Sequence, residues 1–244
     1  MPRFYIPEPI APEQTITLPP GAARHAQVLR LQPGDGITLF NGEGGEWAAR
    51  VLRMGKSTVT VQALAHRPIE REAARAVHLA AGWMAAERMD WLIEKAVELG
   101  AASLTPIVTA RTQQRLTGER ADKKRAHWQA VAAAASEQCG RNRLMAIHAP
   151  LPLDAALQSP VAPNASARWL LSHAADAAPL SLRAAFDALA PGAPVTLLSG
   201  PEGGFTPQEQ TAAQAAHWQP VTLGARILRA ETAPLAALAV LTAL

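Results

Sequence analysis

The sequence predicts an α/β protein: a parallel sheet covered by helices, preceded by a small β-barrel-like module. Three observations predict it. Residues 1–70 hold short, alternating apolar runs punctuated by turn residues. From residue 71 onward, strand-like apolar runs alternate with helical patterns, the signature of parallel strands joined by crossover helices. The change falls at Arg67-Pro68-Ile69-Glu70, which reads as a linker. The expected domains are therefore 1–70 and 71–244.

In the first region Ile37 to Phe40 and Glu46 to Val51 flank Asn41-Gly42-Glu43-Gly44-Gly45, and Asn-Gly between apolar runs is a strong hairpin signal. Ser57 to Val61 alternates as a half-buried strand does. A short helix is expected around His25 to Leu31. In the second region Ala76 to Ala80 reads as a strand. Met89, Leu92, Ile93, Ala96 and Leu99 follow at helical spacing, and Gly100 stops that helix. Leu104 to Val108 is a strand, Lys123 to Glu137 a helix, Arg168 to Ser172 a strand and Leu182 to Leu189 a helix. Ser159 to Ala167, with Pro160 and Pro163, reads as an exposed loop. Val195 to Leu198 is a strand, followed by a Gly-rich loop and a helix through His217. Val221 to Leu223 and a C-terminal helix finish the chain.

Of the 244 residues, 49% are apolar and 18% charged, which supports a hydrophobic core and excludes intrinsic disorder. The single cysteine, Cys139, excludes an internal disulfide framework and any Cys-cluster metal site, and the seven histidines show no metal-ligand spacing. Met1 to Pro7 lacks the apolar core of a signal peptide, and no apolar stretch reaches the length of a membrane span. A cytoplasmic protein without metal or membrane contact is expected. Net charge is only +3, but basic residues gather at Arg24 to Arg30, Arg111 to Arg125 and Arg141 to Arg143. Each alone reads as a solvated face; three of one sign point towards an extended polyanion such as RNA.

Ligands of open α/β sheets bind beyond the carboxyl ends of the strands, and two such ends are chemically unusual. The first is Ser199-Gly200-Pro201-Glu202-Gly203-Gly204-Phe205, which precedes a helix signalled by Thr206 as N-cap, Pro207 at the first position and Glu209 completing a capping box. Its glycines permit either close approach to a ligand or a tight turn, and it matches neither a P-loop nor a dinucleotide fingerprint. The second runs from Leu223 to Pro234, with Thr232 set to cap the last helix. There Arg226, Arg229 and Glu231 read as substrate contacts or as a salt-bridged loop.

Together, Gly-Pro-Glu-Gly-Gly-Phe and the later Leu-Gly-Ala-Arg-Ile-Leu-Arg-Ala-Glu-Thr-Ala resemble the 16S ribosomal RNA (uracil-N3)-methyltransferase family of the SPOUT methyltransferases. The resemblance extends to Met1–Ile6, His25–Arg30, Gly34-Asp35, Glu94–Gly100 and Glu137–Asn142. One departure is Ala85, where the family often has a lysine. The resemblance implies a SPOUT-type parallel sheet with a C-terminal trefoil knot, a PUA-like N-terminal barrel that helps hold RNA, and a homodimer. It implies S-adenosyl-L-methionine as cofactor and 16S rRNA, or the small ribosomal subunit, as substrate. By the same resemblance Leu198, Ser199, Gly200, Glu202, Gly203 and Gly204 bind cofactor from the first loop. Leu223, Gly224, Ile227, Leu228 and Arg229 do so from the second.

Methylation at uracil N3 requires an aligned methyl donor, removal of the imide proton and an unstacked base. Arg229 or Arg226 is suited to stabilise an anionic uracil, and Glu231 or Glu202 to accept the proton; Arg229 and Glu231 are the catalytic candidates. Arg3, Arg24, Arg30, Arg141 and Asn142 are the expected RNA contacts, with a structural loop role as the alternative for the last two. His78, His173 and Cys139 read as structural, and Trp83, Trp91 and Trp128 as core. The competing functions are a non-catalytic RNA-binding or ribosome-assembly factor and a SPOUT enzyme acting at another RNA position.

Overall fold

A computed structural model describes residues 1–112, 118–158, 167–173 and 179–243. The chain divides into two compact units: Met1–Glu72 with Ala133–Leu144, and Ala73–Ala132 with Met145–Leu244.

In the first unit β1 (Arg3–Tyr5), β2 (Thr15–Thr17), β3 (Gly36–Phe40), β4 (Glu46–Met54) and β5 (Val59–Arg67) form one sheet in the order β1-β3-β4-β5-β2. The predicted hairpin is β3–β4, paired antiparallel from Gly36↔Arg50 to Leu39↔Trp47. Asn41 shapes its turn by accepting the Glu43 N–H on Oδ1 at 3.2 Å. Two register shifts in β4 against β5, at Ala48/Ala49 and Val51/Arg53, bend the sheet, which curls around Phe4, Ile16, Ile37, Leu39, Val51 and Val61. Helix α1 (Pro20–Val28) lies earlier than expected. Pro20 takes a first-turn position, where its missing N–H costs nothing, and the helix stops before Arg30 at φ 56°. Strands β1 and β2, at the two ends of that order, are three residues each, too short to stand out by periodicity.

The second unit is built on β6 (Val77–Gly82), α2 (Ala86–Glu98), β7 (Ser103–Val108), α3 (Glu119–Cys139, whose last turns belong to the first unit), β8 (Ala146–Ile147), β9 (Leu151–Pro152), α4 (Leu153–Gln158), β10 (Ala167–Leu171), β11 (Leu180–Ser181), α5 (Leu182–Asp187), β12 (Val195–Ser199), α6 (Pro207–Ala215), β13 (Gln219–Thr222) and α7 (Thr232–Ala243). Every pairing is parallel, in the order β11-β13-β10-β12-β6-β7-β8, with β9 also on β7. The central strands β6, β7 and β12 are almost wholly buried, as strands covered on both faces must be. Helix α2 ends before Gly100, as predicted, and buries the expected Met89, Leu92, Ile93 and Ala96.

Some expectations are corrected. Trp83 and Trp128 are core and meet edge to face at 5.2 Å, but Trp91 is 45% exposed. Helical geometry explains this: Asp90, Trp91 and Glu94 point away from the stripe that packs on the sheet. Cys139 is only half-buried. The short β8, β9 and β11 had no periodicity to announce them. Residues 159–166 of the expected Ser159–Ala167 loop, and Arg115 of one basic cluster, lie outside the described residues; Ala167 itself opens β10.

Candidate active site

Strands β12 and β13 flank β10, and the segments leaving their carboxyl ends form the walls of a cleft of about 260 Å³. Of the expected cofactor contacts, Ser199, Gly200, Glu202, Gly204, Leu223, Gly224, Ile227, Leu228 and Arg229 line it. Leu198 and Gly203 do not: Leu198 is buried in the core behind the cleft, and Gly203 faces Arg111. Phe205, Gln210 and His173 also line the cleft. Only the position of His173 just past a strand end signalled this. Its Nε2 lies 3.3 Å from the Ala225 carbonyl of the second loop.

The first loop is held from several sides. Thr206 and Glu209 form the predicted capping box: the Thr206 hydroxyl accepts the Glu209 N–H at 3.2 Å, and Glu209 Oε2 accepts the Thr206 N–H at 2.8 Å. Glu202 Oε1 accepts the Ala85 N–H at 3.0 Å and lies 3.7 Å from Arg88. Ala85 is the N-cap of α2 and has no side-chain cap of its own, so Glu202 supplies a carboxylate where the helix dipole favours one. This contact stands against Glu202 as proton acceptor. The loop closes onto β6 because residue 82 is glycine; a Cβ there would run into Pro201 N. Ser199 Oγ is buried beside the cleft and has no hydrogen-bond partner among the described residues.

In the second loop the Thr222 hydroxyl accepts the Gly224 N–H and donates to the Gly224 carbonyl, both at 3.2 Å. The Arg229 carbonyl accepts the N–H groups of Thr232 and Ala233 at 3.0 and 3.1 Å, which leads the chain into α7. Arg226 and Arg229 are exposed cations on the cleft, and Ile227 is 84% exposed. Glu231 is buried with Oε2 unpartnered among the described residues; it adjoins the cleft through Ala230 without lining it. No ion pair joins Arg229 to Glu231.

Residues 71–242 match a family model described as an RNA methyltransferase domain, and residues 18–64 one described as an RNA methyltransferase PUA domain. The ribosomal RNA small subunit methyltransferase E of Synechocystis sp. is 35% identical over 240 residues, covering 96% of this chain and 76% of that protein. The chain belongs to the RNA methyltransferase family. This RNA methyltransferase is also similar to the solved ribosomal RNA small subunit methyltransferase E of Neisseria gonorrhoeae bound to S-adenosyl methionine. Identity is 35%, coverage 100% of this chain and 97% of that one, and the TM-score 0.87. A Legionella pneumophila structure in complex with the bound cofactor SAM aligns at 34% identity and a TM-score of 0.90, covering 99% and 96% of the two chains.

The RNA contacts expected of this RNA methyltransferase fall into two groups. Arg24 and Arg30 are exposed, on and just past α1. Arg3, Arg141 and Asn142 are not surface groups. Arg3 donates to Glu46 at 2.7 Å and to Asn142 Oδ1 at 2.5 Å, Asn142 donates to the Ile69 carbonyl at 2.6 Å, and Arg141 forms a two-pronged pair with Glu72. Arg141 and Asn142 are 4% and 0% exposed, so the structural role is the one their geometry supports. Burial alone would raise the Glu46 carboxyl, but hydrogen bonds from Arg3, Arg71 and Asn142 outweigh it and hold it below the usual carboxylate range. Nearby, burial raises the Glu137 carboxyl, against the Tyr5 N–H at 2.8 Å and the charges of His25 and Arg3. His78 meets Ser103 Oγ at 2.8 Å, and burial lowers its pKa. Among the described residues no group of three His, Cys, Asp or Glu side chains is placed to hold a metal, and no helix is long and apolar enough to cross a membrane.

Proposed function

We propose that this RNA methyltransferase moves a methyl group from S-adenosylmethionine to N3 of a uridine in 16S ribosomal RNA. It works in the cytoplasm as a homodimer, on the small subunit or its RNA. The observation that carries this reading is the cleft between the two strand-end loops, with the unpartnered Ser199 hydroxyl buried against it. The residues fit the cofactor. Ser199 and the backbone at Gly200, Gly204 and Gly224 on the cleft wall offer polar contacts at close approach, Leu223, Ile227 and Leu228 offer apolar ones, and Glu202 and Gly203 act by holding the first loop. Leu198 backs the cleft from the core. When bound, S-adenosylmethionine supplies an electrophilic methyl group.

The chain's own residues have two further tasks. Uracil N3 carries an imide proton, so the base becomes anionic as N3 turns nucleophilic. Arg229, an exposed cation on the cleft wall, stabilises that charge, with Arg226 beside it. Glu231, two residues on, accepts the proton. Because N3 lies on the pairing edge, the uridine must be unpaired before it can enter. The exposed Arg24 and Arg30 of the first unit support a role for its PUA-like sheet in holding RNA. The trefoil knot belongs to the same proposal. It is supported by the chain's return from β12 to pair with β10 on its opposite side, which brings the last two loops into one cleft.

Mass-spectrometric mapping of methylated nucleotides in ribosomal RNA, from cells with and without this protein, tests the reading. One N3-methyluridine of 16S rRNA should disappear with the protein. An unchanged map, together with no heat on titration with S-adenosylmethionine, would favour a non-catalytic RNA-binding factor instead.

A further inference from the structure

We infer that Arg111, which does not line the cleft, is a positioning residue that holds the first cofactor loop in its binding shape. The inference rests on the S-adenosylmethionine reading of the cleft.

Arg111 projects from a tight turn just past β7. There the Thr109 N–H donates to Thr112 Oγ1 at 2.9 Å, the two hydroxyls are 3.1 Å apart, and both threonines are buried. The same turn is bolted to α6: the Ala110 N–H donates to Glu209 Oε1 at 2.8 Å, while the other oxygen of Glu209 serves the capping box. From this base Arg111 Nη1 donates to the Gly203 carbonyl at 2.6 Å and lies 3.5 Å from the Phe205 carbonyl. Its aliphatic stem packs on Gly203, where an added Cβ would meet Arg111 Cβ at 3.1 Å and Cδ at 3.2 Å. One guanidinium thus reaches the carbonyls on both sides of Gly204, the loop's positive-φ residue at 66° and a member of the cleft wall. Without it the loop samples other shapes, and cofactor affinity falls by the fraction of molecules left competent.

The test compares full-length wild type, Arg111→Ala and Arg111→Lys. Calorimetric titration with S-adenosylmethionine, methylation kinetics and thermal unfolding without cofactor are measured on each. Arg111→Ala should weaken cofactor binding and raise the cofactor KM roughly tenfold, the usual worth of a charge-assisted hydrogen bond. Its kcat at saturating cofactor and its cofactor-free melting temperature should stay near wild type. Lysine, which keeps the stem and one charged donor, should recover part of the affinity. Wild-type affinity in Arg111→Ala would overturn the inference alone. So would a fall in kcat at saturation with unchanged affinity, or an affinity loss matched by a lower melting temperature and not rescued by lysine. Absence of binding by the wild type would overturn the cofactor reading, and this inference with it.

Discussion

Gly204 stands at φ 66° on the cleft wall, a backbone region closed to β-branched side chains. Gly204→Val should therefore distort the first loop at a cost of about 1–3 kcal/mol. The expected result is a folded protein whose heat of S-adenosylmethionine binding is lost or strongly reduced. Arg229 makes a different demand. Its side chain is exposed on the cleft and, among the described residues, forms no ion pair, with Glu231 or any other group, that would tie its charge to the loop. A cation poised for an anionic base contributes more in the transition state than in the ground state. Arg229→Ala should lower the single-turnover methylation rate on the order of a hundredfold, about 3 kcal/mol, at saturating cofactor and RNA. Cofactor affinity measured by calorimetry should change little. A near-wild-type rate would place the charge-stabilising role on another group, with Arg226 next in line.

At the scale of elements, β1, β4, the 69–72 segment and the end of α3 with the chain after it are joined by a polar network, and two of its carboxylates, Glu46 and Glu137, respond oppositely to pH. Glu46 is held below the usual carboxylate range by its arginine partners. Its stabilising effect is present above that range and is lost as pH falls through the lowered value. Glu137 is raised by burial, so ionising it costs stability; the penalty is absent in acid and appears as pH rises through the usual range towards its raised value. Glu46→Gln should destabilise the protein at pH 7 by roughly 3 kcal/mol, since it leaves Arg3 buried without its counter-charge. The loss should shrink on acidification. Glu137→Gln, which still accepts the Tyr5 N–H, should be neutral or stabilising at pH 7 and lose that advantage in acid. Thermal melts of both variants across pH 3–8 measure the two signs.

For the whole molecule, Ala133–Leu144 belongs to the same compact unit as Met1–Glu72, so a cut at residue 70 divides that unit. Removing residues 1–70 takes the Tyr5 N–H from Glu137, and Arg3, Glu46 and the Ile69 carbonyl from Asn142. Each buried polar group left unpaired costs about 1–3 kcal/mol. The truncated chain should still bind S-adenosylmethionine, because every residue of the cleft lies within 171–233. It should bind RNA weakly and melt roughly 5 °C or more below the full chain. It should also be cut by protease within 133–144. Melting, calorimetry and limited proteolysis on the same preparation check these outcomes.

The capping box of α6, the Asn-Gly hairpin, the Gly100 stop of α2 and the alternation behind the parallel sheet were legible in the sequence. All are local: hydrogen bonds within three or four residues, or periodicities of 2 and 3.6, write themselves into neighbouring positions. The two cleft loops were legible for a related reason, since a Gly-rich segment after an apolar strand marks a strand end wherever it occurs. What only the tertiary structure decided are the partners brought together from far along the chain. Arg111 reaches Gly203 across 92 residues, Glu202 caps a helix that begins 116 positions earlier, and Asn142 is buried beside Arg3. The same distance separates cations that look alike in sequence, leaving Arg24 and Arg229 in solvent while Arg3 and Arg141 are enclosed. A charged side chain carries no record of its burial. That depends on whether the fold delivers a carboxylate to pair with it, and here Glu46 and Glu72 arrive from elements the local pattern does not connect.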